Sequence, residues 1–148
     1  MAYQARKRER FEEILELVDK KGNIVHSIRV QLDPDDIVIK LNRKYNALTR
    51  ALANSKELQR KELSNTELEK SFEKLGRAVT DLFEAVFGKE DADTIVQFYD
   101  NRYIEMTQEV IPFITQCVIP RCAEINKRNQ KLTLGKYTRN KRTFFGCR

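Results

Sequence analysis

The sequence predicts a mostly α-helical protein with a small N-terminal β-hairpin, an α+β body of helical-bundle type followed by a basic C-terminal tail. Three observations carry this. Apolar residues recur at helical spacing in several runs between Leu32 and Ile119, and the runs are separated by glycine, proline or Asp-Asn breaks. Ahead of them, two short β-type runs flank a Gly22-Asn23 turn. The charge is also uneven. The net charge is +6, yet residues 127–148 carry eight cations and no acid, which leaves −2 for everything before them.

Met1 to Arg10 reads as a polar, basic lead-in, disordered or briefly helical. A single domain is expected over 11–131, with 132–148 as the tail. The hairpin is expected over 11–31. Its first run, FEEILELV, also satisfies a helical period, but Ile24, His26, Ile28 and Val30 alternate cleanly with Val25, Ser27 and Arg29, which favours strands. An isolated hairpin is marginal in water, so this one must pack on helices or on another subunit.

The first helix is expected over about 34–60. Asp33 is placed to cap it, Pro34 suits its first position, and Asp35 and Asp36 complement its dipole. Ile37, Leu41, Tyr45, Leu48 and Leu52 form its apolar stripe. Ser64-Asn65-Thr66-Glu67 has the spacing of a capping box for a second helix over 65–87, whose stripe is Leu68, Phe72, Leu75, Val79, Leu82, Phe83 and Val86. Gly88 stops that helix. The acids within Lys89–Asp93 supply capping oxygens for a short helix over 91–99 bearing Ile95, Phe98 and Tyr99. Asp100-Asn101 reads as a tight bend. A last helix over 102–128 carries Ile104, Val110, Ile111, Ile114, Val118 and Ile119. Pro112 should kink or restart it, and Pro120 should end it or bend it again.

The composition excludes several classes of function. No apolar run reaches the roughly 18 residues of a membrane span, and no apolar stretch of signal-peptide type follows the basic start. Three cysteines, no CxxC and one histidine do not make a disulfide framework or a zinc site, and a reduced, cytosolic compartment is the default. Cys117 and Cys122, five apart on a helix, read as small apolar residues rather than a redox pair. His26 has no partner for nucleophilic catalysis, and glycines are too sparse for a phosphate-binding loop. Glu90, Asp91 and Asp93 could hold a cation, but a solvated helix start explains them more simply. The expectation is a protein with no catalytic site, cofactor or resident metal.

In the tail, Lys136, Arg139, Lys141 and Arg142 are interleaved with Tyr137, Phe144 and Phe145. Such a pattern can track phosphates and stack bases. The plainer reading is a solvated tail, or one that docks on an acidic protein surface.

Within Leu82–Ile119 the residues resemble a known family. Phe87-Gly88 with Glu90, Ala92, Ile95 and Phe98-Tyr99, then Tyr103-x-Glu105-Met106, then Pro112-Phe113-Ile114, are similar to the tail assembly chaperones of long-tailed bacteriophages and of prophages of Firmicutes. The hairpin, the LDPDD helix start and the two long helices extend the resemblance over about Phe11–Lys131. It implies a helical, non-enzymatic, self-associating protein of the bacterial host cytoplasm that coats the aggregation-prone tape-measure protein during tail assembly. It also implies a second, longer form made by programmed frameshifting. An amphipathic tape-measure helix would lie in an apolar groove, for which Phe83, Phe87, Phe98, Tyr99, Tyr103, Ile104 and Met106 are the candidates, although a chain of this size needs most of them in its core. The basic ending departs from the family pattern. It keeps open a structural role in a phage tail or head, which would place the chain in the virion, and nucleic-acid binding through the tail.

Overall fold

The computed structural model describes residues 2–60 and 65–131. Among them the order is β1 (Phe11–Val18), β2 (Ile24–Leu32), α1 (Pro34–Arg60), α2 (Asn65–Phe87), α3 (Lys89–Phe98) and α4 (Tyr103–Glu109). A last helix, α5, starts at Ile111–Phe113, passes through a π-helical turn at Ile114–Val118 and continues over 119–131. The mostly helical class with a two-stranded N-terminal hairpin is what the sequence predicts. Residues 2–10 have no regular secondary structure.

The hairpin turn is set by Asp19, whose carboxylate accepts the N–H groups of Lys21 and Asn23, both at 2.9 Å, while Gly22 takes the positive φ of 87°. The strands pair antiparallel, with Leu15 opposite Ile28 and Leu17 opposite His26. Phe11, Leu17, Ile28 and Val30 are buried on one face. Ile24 departs from the expected alternation. The register shifts between Leu17 and Val18, so Ile24 pairs with Val18, and the extra residue turns it out of the core face.

Helix α1 starts as expected, with the Asp33 carboxylate accepting the Asp35 N–H at 3.2 Å. Leu41 and Leu48 are buried, and Ile37, Tyr45 and Leu52 pack against the core. Helix α2 is central. It touches α1, α3, α4 and β2, and Leu75, Val79, Leu82, Phe83, Val86 and Phe87 are buried along it. Phe72 does not belong to this buried stripe: it is 40% exposed, near the start of the helix. Ser71 is buried in its place, and its hydroxyl has no hydrogen-bond partner among the described residues. The capping box falls on Ser64, outside the described residues.

Gly88 ends α2 with φ 85° and at once begins α3. The acids of Lys89–Asp93 do not cap α3 through side-chain hydrogen bonds; Glu90 and Asp91 lie inside its first turn. There they complement the dipole without closing an N–H. Asp100 and Asn101 both take positive φ, 52° and 61°, and turn the chain into α4. The chain breaks at Val110 and restarts at Ile111 with Pro112 in the first turn, the one helical site where a missing N–H costs nothing. Pro120 neither ends nor interrupts the helix, because the wider π turn directly before it takes up the misfit of a residue without an N–H.

Two aromatic positions on α2 separate core from surface. Phe83→Ala should lower stability by about 3–5 kcal/mol, as expected for emptying a fully buried aromatic site, whereas Phe72→Ala should cost about 1 kcal/mol or less. Thermal and denaturant unfolding of the two variants measures the difference.

Candidate partner-binding surface

The residues proposed for a groove separate into three environments. Phe83, Phe87 and Met106 are buried. The Phe83 and Phe87 rings meet edge to face at 5.7 Å, and Phe87 stacks on Phe113 at 6.2 Å, which ties the end of α2 to α5. Phe98 and Tyr99 are half-buried, in edge contact at 4.9 Å. Phe98 also meets His26 edge-on at 6.3 Å, so the lone histidine, though exposed, touches α3 through its ring. Burial, then Glu109 and Glu105, push the Tyr99 hydroxyl above its ordinary pKa. Tyr103 is half-buried, and Ile104 beside it is 43% exposed, contrary to its expected place on an apolar face.

Tyr103 is positioned by a glycine. Its ring lies against Gly76 of α2, where a Cβ would stand 2.8 Å from a ring carbon. Gly76 therefore admits the ring by having no side chain, a close-approach use of glycine inside a helix. Beside this contact Phe72 and Tyr103 line an open cleft of about 440 Å³. Its floor is apolar, and Glu73, Arg77 and Asp81 stand around it. The geometry thus joins Tyr103 with Phe72, which helical periodicity assigns to the core, while Ile104 does not line the cleft. No local signal marks the exposure of Phe72, which lies three residues before Leu75 and seven before Val79 and so falls within the buried stripe by period.

A second surface joins the two ends of the described chain. Asn129 donates to the Glu9 carbonyl at 3.3 Å, Arg128 pairs with Glu9 at 3.5 Å and Arg121 with Glu13 at 2.8 Å. The cleft at this junction, about 470 Å³, is lined by Lys7, Arg8, Arg10 and Arg121 together with Glu9 and Glu12. The basic lead-in and the basic end of α5 therefore share one pole. Lys136, Arg139, Lys141 and Arg142 lie outside the described residues.

Among the described residues no group of three or more His, Cys, Asp or Glu is placed to hold a metal ion, and no helix is long and apolar enough to cross a membrane. Both described thiols are pushed toward the protonated form. Burial dominates at Cys117, reinforced by Glu13 and opposed by Arg121. Burial, then Cys117, raises Cys122 to about 11. A thiol at that pKa is a poor nucleophile near neutral pH.

Two outcomes follow from these contacts. Gly76→Ala should gain less than the usual ~1 kcal/mol of helix propensity, because the Tyr103 ring must move. The same change in a Tyr103→Ala background should gain the full amount, and unfolding of the four proteins in the cycle measures the coupling. Cys122 keeps its proton in the folded chain up to about pH 11 but releases it near pH 9 when unfolded. The unfolded state then binds fewer protons, so stability holds below pH 9 and falls as pH rises toward 11, by on the order of 2–3 kcal/mol. Cys122→Ala should flatten that fall in denaturant titrations.

No protein-family model, no curated protein and no solved structure matches this chain.

Proposed function

We propose that this chain is a phage tail assembly chaperone, acting in the host cytoplasm by holding tape-measure segments and copies of itself, with no bond made or broken. The observation that carries the reading is the apolar strip that exposed Phe72 and half-buried Tyr103 form in an open cleft, with exposed Ile104 next to Tyr103 in the sequence; Tyr103 and Ile104 lie within the Leu82–Ile119 pattern that resembles that family. The strip suits the apolar face of an amphipathic helix. The charged rim of Glu73, Arg77 and Asp81 keeps the free protein's surface wet. Phe83, Phe87 and Met106 are buried in the core, and contact with the partner falls to the half-buried and exposed residues.

Co-expression with a tape-measure fragment tests this. The wild-type chain should keep the fragment soluble, and the Phe72→Asp/Ile104→Asp variant, changed only at exposed positions, should fold normally and fail to do so. Equal precipitation of the fragment with and without the wild-type chain refutes the proposal. Recovery of the chain from purified particles at fixed copy number would mark a structural component instead.

A further inference from the structure

The two ends of the described chain meet at one pole, and that pole gathers cations. Residues 2–10 carry four cations and one acid, and residues 119–131 carry the same. From Lys131 the sequence continues into 132–148, with five cations and no acid. That leaves −5 on residues 11–118. Charge is sorted along the chain, and the fold brings the lead-in and α5, both positive, together.

The cleft of about 470 Å³ at their junction takes Lys7, Arg8 and Arg10 from the lead-in and Arg121 from α5. Its two carboxylates already have cations from outside the cleft. Glu9 pairs with Arg128 at 3.5 Å, and Glu12 pairs with Arg29 at 3.7 Å and accepts from the Gln31 amide at 2.8 Å. Arg121 is held by Glu13, which does not line the cleft. Three acids thus stand among six cations, and the excess falls on the lead-in. Lys7 and Arg10 are exposed and make no hydrogen bond or ion pair among the described residues.

We propose that this pole binds the phosphodiester backbone of a nucleic acid. Cations gathered at an open cleft attract a chain of closely spaced negative charges, and release of that chain's counterions supplies the affinity. An acidic protein fits less well. Stable protein contacts centre on an apolar or aromatic anchor that leaves water. The cleft offers none, because its one apolar residue, Ile125, is 2% exposed and belongs to the core. The inference does not rest on the tape-measure reading. It shares no residue with the cleft of Phe72 and Tyr103, and it is tested on the purified chain with nucleic acid alone.

The test is fluorescence anisotropy of a labelled oligothymidylate and of a labelled DNA duplex, titrated with the full chain over a range of salt. Binding should be salt-sensitive, and binding of either form supports the proposal. Lys7→Gln/Arg10→Gln should weaken it about tenfold or more at low salt and reduce the salt slope by about 1.4 for the single strand or about 1.8 for the duplex. Both positions are exposed and outside regular secondary structure, so circular dichroism and melting should be unchanged. Lys40→Gln/Arg43→Gln, which removes the same charge from exposed positions on α1, should have little effect. The loss from Lys7→Gln/Arg10→Gln should persist when Lys136, Arg139, Lys141 and Arg142 are all changed to Gln. No binding at low salt overturns the proposal. So does an equal loss from the α1 variant, which would mark net charge alone, or a loss from Lys7→Gln/Arg10→Gln that vanishes in the neutral-tail background. Displacement of the oligonucleotide by polyglutamate at equal charge would assign the pole to an acidic protein and overturn it as well.

Discussion

The structure depends on the burial of one side of α2. Leu75, Val79, Leu82, Phe83, Val86 and Phe87 are lost from water together, and their removal from solvent is the largest favourable contribution any single element can make here. Most of the other described elements pack against that helix. Helix α1 lies along it, β2 lies against it, and α3 and α4 pack back on it after the turns at Gly88 and Asp100-Asn101. The aromatic contacts extend it, with Phe87 passing the packing to Phe113 in α5.

A helix buried on one side has another side to account for. On α2 the flank at Phe72 and Gly76 is where Tyr103 lies down, and the missing side chain of Gly76 lets the ring approach. The result is an open apolar strip in which the Tyr103 ring lies against the α2 backbone and Phe72 stands beside it. That combination suits a surface that must accept another chain without rearranging its own core. The hairpin has the same character: one face is committed to the helices, while several apolar side chains are left over. The long-range polar ties between the two ends of the described chain, at Glu9 and Glu13, are surface ion pairs and one amide bond. Such contacts orient more than they stabilise.

Much of the fold was legible in the sequence, for identifiable reasons. The hairpin turn, the start of α1 at Pro34 and the stop at Gly88 follow from residues whose backbone preferences act locally. What was not legible depends on tertiary context. No local signal marks the register shift that turns Ile24 outward. Periodicity gives the direction of a stripe but not its width or where its neighbour ends, so Phe72 and Ile104 read as inward-facing. Pro120 reads as a helix breaker because only the π turn ahead of it makes room for it. The site was half legible for the same reason. An aromatic-rich stretch marks where packing is dense, and only the fold separates Phe83 and Met106, inside, from Tyr103 and Ile104, at the surface.

Native-state hydrogen exchange, resolved by residue, tests the central claim most directly. If α2 is the spine of the fold, its amides from Leu75 to Val86 should exchange slowest of all and only through global unfolding, with the hairpin edge and the start of α3 opening far more readily. Exchange of α2 at the rate of the hairpin, with the slowest amides in another element, would contradict the account.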